Sequence, residues 1–206
     1  MLSSEFCYKK SYRTLIIFFT IILCSNHSLL HAQKLQISTN STLKKSISTQ
    51  KAGMIMLGSW ATLNIITGSI GFYKSSESSR YFHQMNASWN LVNLGIAGFG
   101  YRGASMIDPN LSYNSALDKM QRFDDLLLIN AGLDLLYMGG GALLWNRGIS
   151  KNSDRQIGYG KSIVLQGSFL LVFDISRYLI HSKYSKNLFQ LSEQLAFTGN
   201  GLLISF

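Results

Sequence analysis

A chain of 206 residues that is 47% hydrophobic and 14% charged, with one proline and a net charge of +9, fits one compact domain and excludes a disordered one. Its two cysteines, Cys7 and Cys24, both lie in a segment that reads as an export signal. A mature chain would therefore have no thiolate metal site, disulfide or cysteine nucleophile.

That signal spans residues 1–32. Lys9, Lys10 and Arg13 form a basic start, Leu15–Leu23 is a short apolar core, and Leu30-His31-Ala32 ahead of Gln33 has the small final residue of a cleavage site. An uncleaved anchor is the alternative. Lipid attachment at Cys24 is disfavoured, because the larger Leu23 precedes it. Residues 33–50 are rich in Ser, Thr, Gln and Lys and read as a polar leader or short surface helix.

Four apolar stretches follow over 53–73, 83–103, 124–146 and 160–181. Each is long enough to cross the ~30 Å hydrocarbon layer of a bilayer as a helix. The expected fold is all-α: a membrane four-helix bundle over 51–182, placed after the signal peptide. Asp108-Pro109-Asn110 marks a turn in the longest loop, and 147–159 is a second polar connection. Residues 183–206 read as an interfacial segment ending in a short extended tail. A terminal Phe occurs on outer-membrane barrel strands, but continuous glycine-rich spans do not alternate as barrel strands must.

The spans carry polar stripes. The first two are related at an offset of 29 residues: Trp60, Asn64, Gly68, Ser69 and Gly71 correspond to Trp89, Asn93, Ala97, Gly98 and Gly100. Steps of four, eight and eleven stay near one helix face, so each helix shows a neighbour an aromatic ring, an amide and small residues. Two packing faces built alike, or a paired binding site at a repeat interface, both fit. In the second span His83, Asn86, Asn90 and Asn93 fall within about 80° of a helical wheel. The third places Asn130, Asp134 and Tyr137 on one stripe; the fourth places Gln166, Asp174 and Arg177 together, with His181 beyond.

A charge in hydrocarbon costs about 2.5–3.5 kcal/mol even on lenient scales. Asp134, Asp174 and Arg177 should therefore face one another inside the bundle. Arg177 is the expected partner of Asp174, one turn away, or of Asp134 across the bundle. Two carboxylates against one guanidinium leave a negative charge, to be met by protonation, by His83 or by a bound cation.

The stretch Tyr81-Phe82-His83-Gln84-Met85-Asn86-Ala87-Ser88-Trp89-Asn90-Leu91-Val92-Asn93 resembles a family of small Bacteroidota membrane proteins classed as a domain of unknown function. Met56-Leu57-Gly58-Ser59-Trp60-Ala61 with Asn64, Gly132-Leu133-Asp134, and Gln166-Gly167-Ser168-Phe169-Leu170 with Asp174 extend the resemblance over roughly 50–181. It implies four helices and a bacterial envelope location. It implies no activity, substrate or site.

Familiar chemistry is missing from the sequence. There is no phosphate-cradling glycine loop, no His-Glu-x-x-His and no nucleophile elbow. Two distant histidines, His83 and His181, make a poor zinc site. No catalytic residue, metal or cofactor is expected, and no basic stripe suits nucleic acid. The basic loops are expected at anionic headgroups. The leading expectation is a non-enzymatic inner-membrane module, multi-pass, that binds a ligand or partner in its polar core. Expected partners are the lipid bilayer, a further copy of the chain, or a membrane partner protein. A small permease or proton-coupled carrier acting as an oligomer is the alternative. An intramembrane enzyme using His83 and Asp134 is a third.

Overall fold

The structure is a computed structural model that describes the backbone of residues 3–198 and the side chains of residues 29–195. Among the described residues there are four α-helices and no strands: α1 (Ser3–Lys74), α2 (Glu77–Ser105), α3 (Tyr113–Ser150) and α4 (Asp154–Thr198). The last residues of the expected tail, 199–206, lie outside the described ones.

The connections are short, which makes α1 and α2, and likewise α3 and α4, antiparallel neighbours. Ser75 and Ser76 separate α1 from α2, and Glu77 opens α2 at φ 50°. Between α2 and α3, the Asp108 carboxylate accepts from the backbone N–H of Asn110 at 2.9 Å. This is the local turn that Asp favours ahead of Pro109. Ser112 then caps α3, its Oγ accepting from the Ser115 N–H. Residues 151–153 link α3 to α4, with Asn152 at φ 52°, a conformation Asn tolerates better than most residues.

The helices differ greatly in length, and that produces two tiers. α1 has 72 residues and α4 has 45, against 29 in α2. At 1.5 Å per residue, α1 runs about 108 Å. Beyond the α2–α3 loop, α1, α3 and α4 continue as a three-helix extension. Its core is Leu43, Ile47, Ala116, Met120 and Leu188, with Leu35, Leu111, Tyr113 and Tyr184 packed around it. Residues 33–50 are thus a stretch of α1 whose inward side, from Thr39 to Gln50, is buried. Residues 183–195 continue α4 and return the packing through Leu188.

The other tier is polar inside and apolar outside. Among the described residues, buried polar or charged side chains outnumber buried hydrophobic ones. Asn86, Asn90, Asn93, Asp134, Gln166 and Asp174 are all buried, whereas Ile55, Leu63, Val92, Phe99, Leu136, Leu143 and Val172 are exposed. Hydrophobic burial cannot hold such a tier together in water, but a hydrocarbon surround reverses the requirement.

Three helices are long and apolar enough to cross a membrane: Leu29–Lys74, Tyr113–Ser150 and Asp154–Leu195. α2 has the length but not the composition expected of a fourth, because His83, Gln84, Asn86, Asn90 and Asn93 interrupt it. Its amides are covered instead by α1 and α4, the two helices α2 packs against.

Candidate functional site

The polar residues sort into three groups rather than one axis. The first is a chain of amides across α1, α2 and α4. Asn86 Nδ2 donates to Asn64 Oδ1 at 2.9 Å, and Gln166 Nε2 donates to Asn86 Oδ1. Gln166 Oε1 accepts from the Trp60 indole N–H at 3.1 Å. Trp60 itself lies flat on Phe169, with ring centroids 3.8 Å apart. Asn90 Nδ2 donates back to the Asn86 carbonyl, and Asn93 Nδ2 donates to Asn90 Oδ1. Amides suit this role because each offers donors and acceptors together, so a closed chain needs no charge.

The two related segments of α1 and α2 do different work. Trp60 serves the amide chain, while Trp89 meets Tyr137 of α3 edge to face at 5.0 Å. Asn64 bonds Asn86, while Asn93 reaches a cavity. His83 joins neither group. Its ring fills the notch left by Gly71, its Nδ1 has no partner, and it stands apart from the carboxylates it was a candidate to balance.

The second group lines that cavity, of about 510 Å³. All four helices contribute. Gln50, Met54 and Leu57 come from α1; Trp89, Asn93 and Ile96 from α2; Asn130, Asp134 and Tyr137 from α3; Leu170, Phe173 and Asp174 from α4. The wall is largely apolar, with Gln50, Asn93, Asn130, Asp134 and Asp174 as its amide and carboxyl groups. The carboxyls of Asp134 and Asp174 are near enough to interact with each other. Asp134 is 3% exposed, and apart from the neighbouring Asp174 carboxyl its Oδ2 has no hydrogen-bond partner.

Arg177 does not compensate these carboxylates, contrary to the expected pairing. Its guanidinium lies against Gly53 and donates to the backbone carbonyl of Thr49. Among the described residues, the contacts within 4.0 Å between a basic side chain and a carboxylate are Arg122–Asp118 and His181–Asp124. The glycine explains the departure. With no side chain at 53, α1 opens a slot for the guanidinium, which turns away from the cavity.

The third group was not assembled from the sequence. His181 Nδ1 lies 2.6 Å from Asp124 Oδ1, and His181 Nε2 lies 2.6 Å from Ser46 Oγ. Ser185 Oγ donates to Asp124 Oδ2 at 2.8 Å, and Gln50 Nε2 donates to Ser46 Oγ at 3.2 Å. Serine, imidazole and carboxylate stand in the order of a nucleophile, its base and an orienting group. Ser46 is nevertheless fully buried in the middle of α1. The backbone N–H groups around it are engaged by the helix, so no oxyanion hole of paired N–H donors accompanies it. The cluster clasps α1, α3 and α4 together where the two tiers meet. Gln50 belongs to both the clasp and the cavity wall.

At the opposite end, basic side chains lie over aromatic rings. Arg80 covers Phe72 at 4.4 Å, Arg155 covers Tyr159 at 5.3 Å and Lys161 covers Trp145 at 5.3 Å. Tyr159 also donates to Gln84 Oε1, tying α4 to α2. Among the described residues, no cluster of three or more His, Cys, Asp or Glu side chains could hold a metal ion.

Neither a curated protein nor a solved structure matches the chain. Residues 56–175, which hold both the amide chain and the cavity carboxylates, match the model of the Family of unknown function (DUF6992), and the chain belongs to that family.

Proposed function

We propose that this chain is a multi-pass protein of the bacterial inner membrane, of Bacteroidota type, that binds a ligand within its helical bundle and catalyses no reaction. The observation that carries this reading is Asp134 Oδ2, a buried carboxylate oxygen with no partner beyond the Asp174 carboxyl, on the wall of a cavity of about 510 Å³. Orphaned buried polar atoms are costly, and the volume falls in the range of small-molecule sites, about 300–1,000 Å³. The membrane setting is supported by the apolar exterior and polar interior. The signal-like start directs the loops carrying Lys74, Arg80, Arg147, Lys151 and Arg155 to the cytoplasmic face, while Lys34, Lys44, Lys45 and Lys51 give the other end a comparable basic count.

Native mass spectrometry of the protein released from nanodiscs tests this reading. The wild type should retain a non-covalent small-molecule adduct that Asn130→Trp, which fills the cavity, loses. If the wild type carries no adduct, and its thermal stability in lipid equals that of a folded Asn130→Trp variant, the cavity is a packing void and the reading fails.

The two uncompensated carboxylates also favour a second reading, a carrier that takes its ligand across the membrane. Flux in proteoliposomes, abolished by folded Asp134→Asn and Asp174→Asn variants, would support transport. Binding without flux leaves the binding module.

A further inference from the structure

The cavity has a side entrance. Every pair of helices approaches through the backbone except α2 and α3, which bring no Cα atoms within 8 Å of one another among the described residues. The cavity occupies that gap, with Val92 and Ile96 on one lip and Leu126 and Leu133 on the other. These four side chains are 64%, 52%, 51% and 41% exposed, so the lips belong to the same apolar exterior that faces lipid. The floor is different in kind. Asp134 and Asp174 are nearly inaccessible, have no basic side chain within 4.0 Å among the described residues, and leave Asp134 Oδ2 with no partner beyond the Asp174 carboxyl.

Resting on the binding reading above, we infer that the ligand is a single-chain amphiphile dissolved in the bilayer, with an ammonium or amine head. It enters sideways between α2 and α3. Its aliphatic chain lies along Val92, Ile96 and Leu133, and its head donates hydrogen bonds to Asp134 and Asp174. The chemistry selects this class on two counts. A fatty-acid anion would be repelled by the pair, and a neutral alcohol would bring no charge to displace the proton that the two carboxyls can share. A water-borne metal ion would have to pass an apolar mouth to reach only two acidic ligands.

The test uses a dodecylamine carrying a photoreactive diazirine near the end of its chain, added to the full protein in phosphatidylcholine nanodiscs. Crosslinks are mapped by peptide mass spectrometry and competed with unlabelled dodecylamine, dodecanol or dodecanoate. Labelling should fall on Val92, Ile96 and Leu133. The amine should compete about tenfold better than either analogue, the preference expected from one charge-assisted contact in a dry site. Asp134→Asn and Asp174→Asn should bring the amine level with the alcohol. Should these variants misfold, Val92→Trp, which narrows the mouth and leaves the floor intact, should cut labelling at Ile96 and Leu133 while the fold persists. Equal competition by all three analogues would overturn the head-group assignment while leaving a binding cavity standing. Labelling confined to Leu143 and Val172, or copy-to-copy crosslinks through the α2–α3 lips, would overturn the lateral site itself.

Discussion

Trp89 stands edge-on to Tyr137, with ring centroids 5.0 Å apart, across the one helix pair whose backbones do not meet. The two rings are therefore the ring contact that spans the α2–α3 gap, and they border the cavity at its Asp134 level.

Because edge-to-face pairs are worth about 0.5–1.5 kcal/mol beyond area burial, a double-mutant cycle on Trp89→Ala and Tyr137→Ala should give a coupling of about 1 kcal/mol. Unfolding by SDS titration in mixed micelles measures it. Coupling near zero would mean that the rings merely share a lipid-facing surface.

Asn86 is the joint of the amide chain, bonded to Asn64 on α1 and Gln166 on α4. Asn86→Ala removes both bonds and leaves two amides facing an apolar gap. Intramembrane hydrogen bonds average about 0.6 kcal/mol and reach about 1.7, so the loss should be about 1–3 kcal/mol in the same assay. Replacing the exposed Thr62, whose Oγ1 bonds its own helix at Gly58, should cost much less.

Substitution of His181 by Ala should be the most damaging change in the clasp. It would leave Asp124 buried with Ser185 as its remaining bonded partner, and Ser46 held by Gln50 alone. Leaving a buried group without its hydrogen-bond partner costs about 1–3 kcal/mol. Hydrogen exchange should show residues 35–50 losing protection together with 113–125, while the far end at Tyr159 stays protected.

Glycines divide sharply. A Cβ at Gly160 would collide with the backbone of Trp145 and Gly141, and one at Gly158 with the backbone of Ser78 and Phe82. At Gly132 or Gly139 it would meet nothing within 4 Å. Gly160→Ala and Gly158→Ala should each cost about 1–3 kcal/mol as overpacking. Gly132→Ala and Gly139→Ala should be neutral or mildly stabilising, since Ala propagates a helix better by about 1 kcal/mol. Thermal melts in detergent distinguish the two sets.

The polar stripes were legible because helical spacing is local. Steps of three and four put Asn86, Asn90 and Asn93 on one face, and that face is buried. Which stripe meets which was not legible, since tertiary geometry decides it. Arg177 is one turn from Asp174 in sequence, yet the slot at Gly53 draws its guanidinium to Thr49. The clasp was hidden for a related reason. Ser46 and His181 are 135 residues apart, and Ser46 lies in a stretch whose composition resembles a solvated leader. Only the continuation of α1, α3 and α4 beyond α2 brings them together.

The amide chain also fixes when assembly can finish. Asn64 and Asn86 meet as soon as α1 and α2 form a hairpin, but Asn86 Oδ1 waits for Gln166 in α4, which leaves the ribosome after α1, α2 and α3. A chain cut or stalled before α4 would be left with the Asn86 Oδ1 acceptor unmatched. Incomplete copies should therefore stay looser than finished ones, with α1 and α2 joined and their open amide waiting for α4.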